Sequence, residues 1–203
     1  MKRIGLLLLS VVVIGAGAWW LKTLHESPRV PTTTSTFPST TLTPQPSIAV
    51  WPYVDSALRF ATPEGAARSF ATDFLGMTSP LVGSFQRGDS RSGEVVIRAG
   101  STSPGTTVLV RQLDGSATWW VLGAVAPSIR LTSPKALAAL TSPVRLTGSS
   151  TAFEAVVNVE VRVDGTLTPI VTTTVMGGSM GVFRPFQATI GFATPSAVGG
   201  ALV

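Results

Sequence analysis

Gly177-Gly178-Ser179-Met180-Gly181 has the G-x-S-x-G spacing of a nucleophile elbow. That chemistry needs a strand before the serine, a helix after it and a base to take the hydroxyl proton, because an unassisted serine is a poor nucleophile. The one histidine, His25, lies far off in sequence beside an apolar run, and residues 183–192 alternate like a strand where a helix is required. The motif therefore reads as a loop between strands. Thr132-Ser133-Pro134-Lys135 imitates serine–lysine spacing with Thr in first place and Pro inside it, and reads as a turn. Gly15-x-Gly17 lacks the βαβ setting of a phosphate loop. Paired carboxylates remain, but Asp55, Glu64, Asp73, Asp89, Glu94 and Asp114 recur at no telling spacing and read as solvated surface. The absence of cysteine excludes thiolate nucleophiles, disulfides and Cys-bound zinc, and a lone histidine makes no metal site. The expectation is a protein without catalytic residues, cofactor or metal, and hence no enzyme.

A binding surface is the stronger candidate. Trp51, Pro52 and Tyr53, together with Trp119 and Trp120, are positioned to form an aromatic patch of the kind that contacts partners or sugars. Adjacent residues on a strand face opposite sides, so one of Trp119 and Trp120 belongs to a core and the other to a surface or an interdomain contact.

The elements that must carry these residues are β-rich. Val, Ala, Thr, Ser, Gly and Pro are abundant and aromatic residues sparse, which suits short strands and turns. Thr62-Pro63-Glu64 is a helix start, with Thr as N-cap, Pro in the first turn and an acid beside it. Ala67, Phe70, Ala71 and Phe74 follow at i, i+3, i+4 and i+7, one apolar face that must pack on a sheet. Residues 93–98, 106–113 and 118–125 read as strands, and Asp114-Gly115 as the hairpin turn between the last two. Residues 48–126 thus form a small α+β domain, one helix on an antiparallel meander.

Ala126-Pro127-Ser128 is a short break, and beyond it the pattern is wholly β. From 152 to 163, Phe153, Ala155, Val157, Val159, Val161 and Val163 face one way and Glu154, Asn158, Glu160 and Arg162 the other, with Val156 the exception. Asp164-Gly165 turns the chain into a strand over 167–175, and Phe186, Ala188, Ile190 and Phe192 alternate again. Shorter strands are expected at 144–148 and 129–131. Five or six short strands in about 75 residues point to a β-sandwich over 127–203.

Ser142-Pro143 leading into Val144-Arg145-Leu146-Thr147-Gly148, then Ala152-Phe153-Glu154-Ala155, the DG turn, Pro185-Phe186 and the closing GGALV give residues 128–203 a specific character. This region resembles the immunoglobulin-like domain of bacterial spore-germination proteins. The resemblance implies an immunoglobulin-like fold in an exported protein, an accessory role and no catalytic residues. It does not extend to the first 127 residues and does not imply a spore former. The family's pattern continues through a final strand, whereas this sequence stops at Val203. Either a last strand is missing and a neighbouring edge is bare, or the sequence is truncated or its last strand shortened to Ala201–Val203.

The first 47 residues place the protein. Ile4 to Leu21 is an apolar run of 18 residues behind Lys2 and Arg3, just long enough to span a bilayer as a helix. The basic N-terminus stays inside, so the rest lies outside, with Trp19 and Trp20 at the outer interface. The competing reading is cleavage at Ala16-Gly17-Ala18, which also exports the remainder. In residues 31–47, 14 of 17 are Thr, Ser or Pro, a stalk over 23–47 reaching on the order of 50 Å. Of the net charge of +5, most sits in the first 29 residues, and the remaining arginines are scattered singly, which does not fit a nucleic-acid binder. The expectation is a single-pass membrane protein with extracytoplasmic domains (residues 1–22 the anchor), binding another exported or membrane protein or the cell wall. A small hydrolase or ligand-binding domain over 48–126 is the alternative.

Overall fold

The computed structural model describes residues 7–10, 48–113, 115–196 and 199–203. Helix α1 (Pro63–Ser69) starts where the sequence signals it: Thr62 is extended, and its hydroxyl oxygen accepts from the Gly65 N–H at 3.1 Å. The helix runs on as a π-helical turn over Phe70–Phe74, closed by the Leu75 N–H donating to the Phe70 carbonyl. Ala66, Ala67, Phe70, Ala71 and Phe74 are all buried, so the amphipathic face expected from their spacing is the one that packs.

It packs on an antiparallel sheet of β2 (Leu81–Val82), β4 (Ser92–Arg98), β5 (Thr106–Gln112) and β6 (Trp119–Val125) in that order, with β3 (Gln86–Arg87) also on β4. Val95 faces Val108 and Val110 faces Val121 across the ladder, and these with Ile97 fill the core under the helix. The three strands read from sequence appear with ends shifted by a residue. Gly115 has the positive φ, +75°, that a tight turn demands, while Asp114 lies outside the described residues.

Beyond residue 128 two sheets enclose a second core. One has the order β12 (Arg184–Ile190), β9 (Val144–Ser150), β7 (Ile129–Ser133). The other has β11 (Val171–Met176), β10 (Val156–Val163), β13 (Gly199–Leu202), β1 (Leu7–Ser10) and β8 (Ala138–Leu140). Val157, Val159, Val161 and Val163 of β10 are buried against Val144, Leu146, Phe186 and Ile190. Val156, the exception in the alternation, is exposed.

Two expectations are corrected. The strand expected from residue 152 begins at Val156, because Glu154 (φ +54°) and Ala155 (φ +63°) sit in the left-handed region and break the extended backbone. The strand expected from 167 begins at Val171, since pairing with β10 starts at Val161↔Val171 and Leu167 and Ile170 remain exposed in the loop before it.

Of the apolar run 4–21, only Leu7–Ser10 is described, and it is a strand, parallel to β13 and antiparallel to β8. The rest of that run and the stalk lie outside the described residues. No helix among the described residues is long and apolar enough to cross a membrane.

Candidate functional site

The two units meet along the outer face of β10 and β13, and the residues that join them are polar where the sequence predicts solvent. Arg162, on the polar side of the β10 alternation, has a side chain only 13% exposed. Its Nε and Nη2 donate to one oxygen of Glu160 at 2.8 and 2.5 Å, its Nη1 donates to the Phe74 carbonyl at the end of the helical segment, and its guanidinium lies 5.0 Å from the Phe74 ring centre. One side chain thus pairs a charge, closes a helix-end carbonyl and covers an aromatic face. Across from it, the Tyr53 hydroxyl donates to the Thr166 carbonyl at 2.7 Å, reaching 113 residues along the chain.

Tyr53 is the chain's one tyrosine, and its phenol is pushed up from 10.0 to about 12. Burial is the main cause, the Asp164 carboxylate adds to it, and Arg162 opposes it. Asp164 itself is raised, by burial first and by Asp55 second. A raised phenol means the folded state holds the proton more tightly. Its contribution to stability is whole below its ordinary value and is lost as pH rises through about 12. Because no other tyrosine interferes, a tyrosinate absorbance titration should show one transition near 12. In Asp164→Asn the transition should move down, toward the ordinary value. A wild-type transition at about 10 would show the junction open in solution.

Beside this polar seam lies a cleft of about 310 Å³. That is the low end of the ~300–1,000 Å³ of small-ligand sites. The first unit lines it with Val50, Phe70, Phe74 and Leu75, and the sandwich with Leu131, Leu146, Val157, Val159 and Phe186. Thr106 and Asn158 add the side-chain polarity. The end of β13, Ala201 to Val203, forms part of its wall.

The aromatic residues singled out from sequence do not make a surface patch. Trp51 is 4% exposed, and its ring N–H donates to Ser69 Oγ, which in turn donates to Asp73. Trp119 is buried in the helix-facing core with Phe85 edge-on at 5.0 Å. Trp120 faces the other side, as alternation requires, but that side is also covered: it is 1% exposed, packed with Ala49 and Leu113 under the Arg59 guanidinium. Only Tyr53, half-buried at the junction, adjoins the site. Of the candidate carboxylates, Glu64 accepts from the Phe85 N–H, Asp73 from Ser69 and Thr72, and Asp89 from the Arg91 N–H, while Asp55 lies near Asp164 and helps to raise it. Ser179 is followed by a turn and then β12, with no helix after it.

Arg162, Asp164, Phe74 and Asn158 were not among the sequence candidates. The signal available for Arg162 was its place opposite a buried valine row, which marks any outward polar residue equally.

Residues 129–202 form a two-sheet sandwich, with the helix-on-sheet unit docked along one of its sheets. Residues 128–203 match the family model described as the immunoglobulin-like domain of bacterial spore germination, and over these residues the chain carries that domain. No curated protein and no solved structure matches the chain.

Proposed function

We propose that the chain is a membrane-anchored, extracytoplasmic, non-catalytic binding protein, an accessory part of a cell-envelope complex that recognises another exported protein through the cleft between its two units. The observation that carries this reading is the chemistry of that cleft. Its walls are aliphatic and aromatic side chains from both units, which suits an apolar partner surface, and its polar neighbours Arg162, Glu160 and Tyr53 are committed to holding the units together. The basic residues Lys2 and Arg3 ahead of an 18-residue apolar run support an anchor with the folded units outside. Membrane insertion and the pairing of Leu7–Ser10 with β13 use the same residues and exclude each other, so anchoring releases that strand from the sheet.

Crosslinking of the tagged full-length chain in intact cells, followed by mass spectrometry, tests the reading. One or two exported proteins recovered in near-stoichiometric amounts are expected. Recovery of wall fragments alone would replace the protein partner with wall binding, and a tag after Val203 that is shielded from external protease would overturn the topology.

A further inference from the structure

We propose that the outer face of the first unit's sheet binds a small organic carboxylate, held between the Arg111 guanidinium and the Trp120 indole N–H, with Arg59 and Arg91 beside them. This site is separate from the cleft and goes beyond the reading above, since it takes a small anion and not a protein partner.

The ladder puts the two donors side by side. β5 and β6 pair Val110 with Val121 and, one step on, Arg111 with Trp120. Both valines lie in the core under the helix, so Arg111 and Trp120 share the opposite face, with Cβ atoms about 5 Å apart. Trp120 is 1% exposed, yet its Nε1 meets no acceptor, and the Nε of Arg111 is likewise enclosed and unpaired. Buried donors are normally bonded, and two orphans at one cross-strand position call for one defined chemistry, an acceptor that offers an oxygen to each. The Arg59 guanidinium, 4.9 Å from the Trp120 ring centre, does not answer that need, because it is itself a donor and covers the ring's face, whereas the N–H leaves from the ring's edge. Arg111 is half-buried, so a solute reaches the pair along its guanidinium end.

Charge gathers at the same end of the sheet. Arg59 gives its Nη1 to the Ser56 and Leu58 carbonyls and Arg91 its Nη2 to the Ser116 carbonyl, and the other guanidinium donors of both make no hydrogen bond among the described residues. Asp89, the acid that feels the charge of Arg111, accepts from the Arg91 N–H at 2.7 Å and makes no bond to Arg111. The occupant follows from these groups. A neutral carbonyl would leave the arginine charge unanswered. A phosphate brings more oxygens and up to two charges, more than two enclosed N–H groups can satisfy. A carboxylate carries one charge and two coplanar oxygens, one for Arg111 and one for Trp120.

The test is a titration of the isotope-labelled full chain in mild detergent with sodium acetate at constant ionic strength, following the indole N–H signals by nuclear magnetic resonance. The Trp120 signal, identified by its loss in Trp120→Phe, should move downfield and saturate, with half the effect at a concentration on the order of 10 mM. The Trp51 signal, whose N–H is bonded to Ser69 Oγ, should stay in place. Arg111→Lys keeps the charge and removes the Nε donor, and should weaken the response about tenfold or more, its unfolding midpoint being checked alongside. Sodium phosphate should act at least about tenfold more weakly than acetate on the unaltered chain, a comparison that decides the matter even if the variant fails to fold. A drift that never saturates, an undiminished response in folded Arg111→Lys, or a response to phosphate equal to or stronger than that to acetate overturns the proposal. None of these outcomes bears on the cleft, which crosslinking tests separately.

Discussion

Phe74→Ala should lower the unfolding free energy by about 3–5 kcal/mol, the usual cost of emptying a buried phenylalanine site. The ring is 3% exposed and is held on every side: stacked on Phe70 at 5.1 Å, tilted against Trp51 at 5.8 Å, edge-on to Tyr53 at 6.4 Å, and capped by Arg162. Set against total stabilities of roughly 5–15 kcal/mol for domains of this size, a loss of that magnitude leaves the first unit close to unfolding. A second effect separates this position from any other core phenylalanine. Losing the ring frees Arg162 and uncovers Tyr53, so the junction should loosen and the tyrosine transition should move down from about 12. Phe85→Ala, which removes a ring from the Trp119 side of the same unit, should destabilise without moving that transition. Denaturant unfolding followed by tryptophan fluorescence, paired with the absorbance titration, distinguishes the two.

The second large effect concerns Gly148, in the central strand of its sheet between β7 and β12. A Cβ there would stand 2.4 Å from the Arg130 carbonyl oxygen and 2.4 Å from the Phe186 ring. The ring could turn, but the carbonyl belongs to the paired backbone of β7, so the strands must separate for a methyl group to enter. Gly148→Ala should cost about 1–3 kcal/mol, the range for overpacking a filled core. Gly191 provides the contrast, with nothing within 4 Å of its would-be Cβ. There, alanine should be neutral or stabilise by up to about 1 kcal/mol through the unfolded chain. Opposite signs for the two substitutions in thermal unfolding are the expected result, and equal losses would show that the close approach at Gly148 is relaxed in solution.

How much of this was legible in the sequence depended on how local the cause is. The helix start at Thr62 and the burial of Phe70, Ala71 and Phe74 follow from spacing within a single element, and they appear as read. The valine row of β10 declared its buried face for the same reason. The aromatic residues were misplaced because alternation tells which way Trp119 and Trp120 point, not what lies there. The second face is covered by Leu113 and Leu122 of the hairpin itself and by Ile48 and Ala49, from a segment that carries no pattern of its own. Arg162 points out of the sandwich, as the alternation of its strand requires. The outward direction at that point meets Phe74 and the end of the helical segment, 88 residues away in sequence. The cleft has the same origin: Phe70, Leu131 and Val159 each belong to a legible element, and only the docking of the two units brings them to one space. Short strands such as β2, β3 and β8, of two or three residues, hold too little periodicity to be read alone.

The central claim is that the cleft between the two units, which Asn158 lines, is where an exported partner binds. A photoreactive residue placed at Asn158 of the full-length chain in living cells tests it directly, with the same residue at Asp89, in the turn between β3 and β4, and at Gln187, on the exposed face of β12, as controls. The account predicts one discrete, exported crosslinked partner from position 158 and none from 89 or 187. Equal crosslinking from all three positions, or a partner captured from 89 or 187 and not from 158, would contradict it.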